Sequence, residues 1–272
     1  MEKLLTGIAD ENLIGMPEIL YKYRDYTNPV HKRLLSNTEL YFTSADKFND
    51  PYDASLPFEY KQEQLTEENI FLKHIQMLER EYPNKSSSEI HAISYEHQRA
   101  GTIKDRVLQE RYSENVNKDI HKNFGIVSLS SDPTNLLMWS HYGNCHTGFC
   151  VGLDVKMIFK NFNPSLHQVM YSNEIPKIDL FEDMIVFFLK LLSTKSNHWE
   201  YEKEYRFISR SFVNKSMDIT EWGLKEVYLG AKMPHKEKMD LIDKLKGQYS
   251  KIKIFDCSLN KSEFKVDTMQ VY

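Results

Sequence analysis

Residues 66 to 120 carry helix signals but few large apolar side chains, and short strand-like runs flank them on both sides. That interruption constrains the fold more than any other feature of the chain. Thr66 with Glu67 and Glu68 opens one helix. Its apolar positions Phe71, Ile75 and Leu78 recur at three- and four-residue spacing, and Pro83 ends it. Ser86 followed three residues later by Glu89 is a capping box opening a second helix. So little apolar surface predicts a lobe or lid laid over a sheet, not a domain with its own core. His74, His91, His97 and His121 fall on these polar helices and read as surface residues.

The flanks read as strands. Ile19 to Arg24 alternates, with Leu20, Lys22 and Arg24 on one side and Ile19, Tyr21 and Tyr23 on the other. Glu39 to Thr43 is a second strand, and Phe48-Asn49-Asp50-Pro51-Tyr52-Asp53 is turn chemistry, because Asn and Asp cap their own backbone. Further strands are expected at Ile126–Ser131, Gly148–Asp154, near Val169, at Tyr201–Ser209, Glu226–Gly230 and Lys251–Cys257. Thr134–Tyr142 holds a helical turn, Asp179–Leu192 is the most apolar helix and is expected to pack on the sheet, and Pro234 opens a charged helix. The expectation is a single α+β domain over 1–272, with a helical insertion over approximately 64–122.

Composition narrows the function. Ten glycines in 272 residues argue against folds built on repeated glycine turns, and no GxxxxGK[ST], GxGxxG or GxSxG occurs. Any nucleotide must therefore be gripped by side chains. A net charge of -4 excludes a strongly cationic nucleic-acid coat, though not a local basic groove. Cys145, Cys150 and Cys257 form no CxxC pair and fit a reducing cytoplasm. His141 and His146 with Cys145 and Cys150 match no common zinc spacing, so no metal is expected. The N-terminal run MEKLLTGIADENLIG carries acids where a signal peptide is apolar. Met184–Leu192 is too short to span a bilayer, so no membrane association is expected.

Three spaced elements bear chemistry. Arg24 ends the first strand, where a guanidinium can project into a cleft and grip a diphosphate through forked hydrogen bonds. Ser128 and Ser130 share one face of a middle strand, and Glu202 and Glu204 are expected to share one face of a later strand. The plain alternative is that Glu202, Glu204 and Arg206 form cross-strand ion pairs on a solvated face. Trp139, His141 and Tyr142 place an indole, an imidazole and a phenol together, able to stack on a base while His141 bonds a phosphate or ribose. For Trp139 the competing reading is core packing. Asn49 and Asp50 are turn-formers first, with Asp50 also able to orient Arg24.

Arginine, then Ser-x-Ser, then Glu-x-Glu, in that order on strands, resembles the R-S-E pattern of mono-ADP-ribosyltransferases. The blocks LYKYR, LYFTSADKFNDPYD, NLLMWSHYGNCHTGFCVGLD and WEYEKEYRF are similar to the bacterial family called domain of unknown function 2971. That family's implied signature positions fall on Arg24, Phe48, Asn49, Asp50, Pro51, Asp53, Met138, Trp139, His141, Tyr142, His146, Gly148, Trp199, Glu202, Glu204 and Arg206.

The R-S-E resemblance implies a split mixed or antiparallel sheet and an enzyme that uses NAD as substrate. ADP-ribose would pass to an unknown protein or nucleic-acid acceptor, or to water. Arg24 would anchor NAD, with Ser128, Asn49, Asp50, Trp139, His141, Tyr142 and Arg206 around it. Ser130 would order the site, Glu204 would stabilise the transition state, and Glu202 would help activate an acceptor. The implied setting is a cytoplasmic bacterial toxin or phage-defence effector. Two other classes stay open: a non-catalytic module binding nucleic acid or protein, supported by an aromatic content of 12% that supplies stacking platforms, and a metal-dependent nuclease using Asp50, Asp53, Glu202 and Glu204.

Overall fold

The computed structural model describes residues 15–162 and 164–272; residues 1–14, read above for a leader, lie outside them. In chain order the elements begin β1 (Ile19–Arg24), α1 (Pro29–Ser36), β2 (Glu39–Phe42), α2 (Glu67–Glu81), α3 (Ser87–Arg99), α4 (Arg106–Asn123) and β3 (Gly125–Ser130). Next come α5 (Leu136–His141), β4 (Phe149–Asp154), α6 (Val155–Phe162), β5 (Ser165–Gln168), β6 (Met170–Ser172), α7 (Met184–Ser193), β7 (Thr194–Ser196) and β8 (Glu204–Ser209). The chain ends in β9 (Lys215–Asp218), α8 (Thr220–Gly223), β10 (Leu224–Leu229), α9 (His235–Gln248), β11 (Lys253–Leu259) and β12 (Val266–Gln270). The fold is α+β, and the described residues divide into two compact units, one of residues 15–47, 123–162, 164–171 and 196–272 and one of 48–122 and 172–195.

The first unit is built on an eight-stranded mixed sheet in the order β12-β11-β10-β4-β1-β3-β8-β5, in which only β10 and β11 of the paired neighbours run parallel. Alternation sorts its side chains. Leu20, Val127, Leu129, Val151, Phe207 and Val227 enter one continuous core with Leu34 and Leu35 of α1 and Leu241 and Leu245 of α9. Each such side chain contributes about 1.5–3 kcal/mol of burial, which makes this face the main source of stability. α1 starts where Asn28 accepts a hydrogen bond from the Val30 amide at 2.9 Å, with Pro29 at its first turn. Strands β1 and β3 share a single register pair, Tyr21 with Ser130, whereas β1 and β4 pair along six residues. At the thin seam the Lys22 ammonium donates to the Ser128 carbonyl of the neighbouring strand.

The second unit corrects two expectations. The polar helices do have a core, because the apolar helix α7 belongs with them and not with the sheet. Phe58 meets Tyr112 of α4 and Phe187 of α7 edge-on, at centroid distances of 5.7 and 5.1 Å. The missing apolar residues are supplied from a distant stretch of chain. His74 is also buried, not exposed, with its ring edge-on to His97 at 5.4 Å. Burial, with the neighbouring His97 second, lowers its pKa. Asp50 is the turn-former expected, accepting from the Tyr52 amide at 3.0 Å, while Asp53 and Lys195 form a buried ion pair at 3.3 Å.

No helix among the described residues is long and apolar enough to cross a membrane.

Candidate active site

The face of the large sheet opposite the main core carries a row of aligned residues. Register pairs run Glu226–Gly152, Gly152–Tyr21, Tyr21–Ser130 and Ser130–Glu204, crossing β10, β4, β1, β3 and β8. Directly paired residues project to the same side, so Ser130 and Glu204 are cross-strand neighbours on one face, with Ser128 and Arg206 paired two residues away.

Glu204 and Arg206 lie on one side of β8, and the guanidinium grips the carboxylate with Nε at 2.8 Å and Nη2 at 3.0 Å. Both are buried, at 0% exposure for Arg206 and 2% for Glu204, so the expectation of a solvated ion-pair face fails. The pairing offsets desolvation, since a buried carboxylate is tolerated only with a partner. The Glu204 amide donates to the Tyr171 hydroxyl at 2.8 Å. Ser130 is fully buried, and its hydroxyl accepts from the Asp132 amide at 3.1 Å, closing the turn after β3. Burial would raise the Asp132 carboxyl, but hydrogen bonds from Thr134 and the Lys203 ammonium bring it below its ordinary value.

Glu202 departs from its expected place. β8 begins only at Glu204; Glu202 closes a 3-10 turn over Asn197–Glu202, and Lys203 between them is left-handed at φ 45°. The two carboxylates therefore do not repeat along a strand. Glu202 is buried and accepts from the Tyr142 hydroxyl at 2.7 Å.

Arg24 is the larger departure. It pairs in register with Phe149, one of the main core residues, three positions beyond Tyr21. Three is odd, so its side chain leaves β1 on the face opposite Ser130 and Glu204. The expected convergence of Arg24, Ser130 and Glu204 on one face does not occur. Among the described residues, no side-chain hydrogen bond or ion pair engages the Arg24 guanidinium, and burial pulls its pKa down to about 10. His31 lies near it: burial first, then the Arg24 charge, lowers the imidazole, whose Nδ1 is buried without a hydrogen-bond partner.

The Trp-Ser-His-Tyr segment splits by role. Trp139 is fully buried, donates its indole N–H to the Pro133 carbonyl at 2.9 Å and packs edge-on against Tyr23 at 5.2 Å. It is core and offers no free ring face, which removes it from the ligand-stacking group. His146 is also buried, stacked on Trp139 at 6.2 Å, and burial followed by the Lys232 charge lowers its pKa. His141 is exposed, and its ring lies 6.1 Å from that of Tyr201, which in turn lies 6.1 Å from Trp199. Just after this segment, Asn144, Cys145 and His146 are consecutive left-handed residues, at φ 48°, 52° and 69°. This costly conformation is clamped by the close approach at Gly148, where a Cβ would lie 2.2 Å from the Arg24 carbonyl oxygen.

Asn49 and Asp50 belong to the second unit. The Cys/His set does not assemble: Cys145 is exposed and Cys150 buried, and among the described residues no three His, Cys, Asp or Glu side chains are grouped to hold a metal ion. The residue missed was Glu226, and with it the pairing of its carboxylate with Tyr21. The Tyr21 hydroxyl donates to Glu226 at 3.2 Å and the Tyr228 hydroxyl to the same carboxylate oxygen at 2.9 Å. Burial, then the Glu226 charge, raises Tyr21 to about 12. The available signal was Gly152, since a Cβ there would lie 3.0 Å from the Glu226 Cβ.

The sequence profile of the family described as Protein of unknown function (DUF2971) matches residues 138–207, which run from Met138 beside Trp139 through Glu202, Glu204 and Arg206 to Phe207. No curated protein and no solved structure matches the chain.

Proposed function

Taking residues 138–207 as the segment shared with that family, we propose that the unit carrying the large sheet is an NAD-consuming enzyme of ADP-ribosyltransferase type. The observation that carries this reading is the order across the sheet. The strands bearing Arg24, Ser130 and Glu204 are consecutive neighbours, β1-β3-β8, and Ser130 and Glu204 are direct register partners.

In the proposed reaction the bond from nicotinamide nitrogen to the ribose anomeric carbon breaks, and nicotinamide leaves with the bonding pair. Glu204 stabilises the positive charge that builds on the ribose, its plane fixed by Arg206. An acceptor hydroxyl or amine, its proton taken by Glu202, forms the new bond to that carbon, or a water does so and loses its proton to solvent. Ser130 shapes the turn beside Glu204. Arg24 lies on the other face, so its part is limited to an anion reaching the end of β1, without contact with Glu204. A cytoplasmic toxin or defence role goes with this reading through the family resemblance.

The test is incubation of the full chain with NAD while nicotinamide release is followed. Glu204→Gln should slow release about 100- to 1,000-fold, with circular dichroism showing a retained fold. Glu202→Gln should spare hydrolysis and reduce transfer to an added acceptor. Absence of turnover together with absence of NAD binding by calorimetry overturns the proposal.

A second reading, a nucleic-acid-binding module, is favoured by the ring series His141, Tyr201 and Trp199. Salt-dependent retention on single-stranded RNA, without NAD turnover, would select it.

A further inference from the structure

Among the described residues, β12 ends the large sheet beyond β11, and its Thr268, Met269 and Gln270 are exposed. Two hydrogen bonds fix which of its backbone groups point outward. The Asn260 amide donates to the Lys265 carbonyl at 3.1 Å, and the Val271 amide donates to the Ile254 carbonyl at 2.8 Å. Lys265 and Val271 therefore bond inward, to β11 and its flanks. Bonding direction alternates along an antiparallel pair, so Asp267 and Met269 bond inward as well. The N–H and C=O groups of Val266, Thr268 and Gln270 face away from β11.

Such an edge is ordinarily blunted by shortness, charge or proline. The opposite edge, β5, is only four residues long. β12 has no proline, and Asp267 is its one charged residue. That charge is already balanced within the hairpin: Asp267 accepts from the Asn260 side-chain amide at 2.7 Å and lies 4.0 Å from the Lys265 ammonium. The same hairpin exposes three large apolar side chains, Leu259, Met269 and a fully exposed Phe264. Apolar surface gathered at an open edge marks an interaction site.

We propose that β12 is a dimer interface, pairing antiparallel with β12 of a second copy of this chain across a two-fold axis at Thr268. This register pairs all three outward residues, Val266 with Gln270, Thr268 with its equivalent, and Gln270 with Val266. Moving the axis to Asp267 sets two carboxylates directly opposite each other, which is unfavourable. Moving it to Met269 sets Val266 opposite Tyr272, whose carbonyl already accepts from the Ile254 amide at 2.9 Å. With the axis at Thr268, Asp267 faces the Met269 of the second copy, so no carboxylate meets its like. The contact is isologous, as closed two-fold dimers require, and the two sheets become one.

One strand per copy makes a small interface, so a reversible monomer–dimer equilibrium is expected. Sedimentation of the full chain should show dimer at concentrations on the order of 100 μM. Thr268→Glu and Thr268→Lys each place like charges at the axis, and each should weaken dimerisation at least about tenfold. An equimolar mixture of the two variants should restore it, because Glu then meets Lys. Thr268→Pro should abolish it, since proline is tolerated at an edge position whose N–H faces solvent in the monomer; circular dichroism should show a retained fold. A chain that stays monomeric at every concentration, whether or not it takes up an unrelated strand-forming peptide, overturns the proposal. So does a dimer that all three variants leave intact, or a mixture of the Glu and Lys variants that stays monomeric. None of these outcomes bears on NAD turnover, whose proposed residues lie on or beside β1, β3 and β8.

Discussion

The large sheet presents two buried faces made by alternate residues of the same strands, and they are stabilised in different ways. On one face Leu129, Val151, Phe207 and Val227 are packed by volume, without directional demands. On the other, Ser130, Glu204, Arg206 and Glu226 are equally buried, and each needs a specific partner. The first face tolerates repacking as long as volume is conserved. The second tolerates little, since removal of one partner leaves a desolvated charge or hydroxyl behind. Stability is concentrated on one side and chemical potential on the other, one residue apart along the chain.

Adjacent residues of β8 test that contrast with the largest effects. Phe207→Ala should cost about 3–5 kcal/mol through the cavity it leaves. Arg206→Met should cost about as much, roughly 3–5 kcal/mol, by stranding Glu204. The two differ in rescue: adding Glu204→Leu to Arg206→Met should recover most of the loss in chemical denaturation, because an apolar pair of similar size replaces the ion pair. Failure of that rescue would show that the pair also satisfies other buried polar groups, which its removal leaves stranded.

Acidification should produce a middle-sized effect. Burial lowers the pKa of His146 in the folded protein, so the unfolded chain binds the proton more readily. Stability attached to this group is whole above the ordinary histidine value near 6.5 and is lost as pH falls below it. His31, His74 and His167 are shifted the same way, with burial the first cause in each. Melting temperature should therefore fall between pH 7 and 5, and His146→Asn, which suits the left-handed backbone, should flatten part of that slope. An unchanged slope would remove His146 from the account.

The smallest expected effect is at the row of hydroxyls. Tyr21→Phe keeps the ring but removes its bond to Glu226, and should cost about 0.5–1.5 kcal/mol. Tyr228 still donates to the same oxygen at 2.9 Å. A loss several times larger would make the row one cooperative network.

Local signals fixed much of this protein. Alternation defined β1, the capping box of Ser86 and Glu89 formed as read, and Asn-Asp turn chemistry placed Asp50. These features depend on neighbours within a few residues. The order Arg, Ser, Glu on successive strands was also legible, and the sheet sets those strands side by side.

Tertiary structure decided what local rules cannot carry. The face occupied by Arg24 relative to Ser130 follows from the register between β1 and β3, and one pair, Tyr21 with Ser130, sets it. The start of β8 at Glu204 depends on a left-handed Lys203 that alternation does not reveal. The core of the helical unit needed α7 from a separate stretch of chain, so composition within 66–120 understated it. Alternation tells which residues share a face of one strand. Only the pairing between strands, fixed by burial across the whole sheet, tells which faces meet.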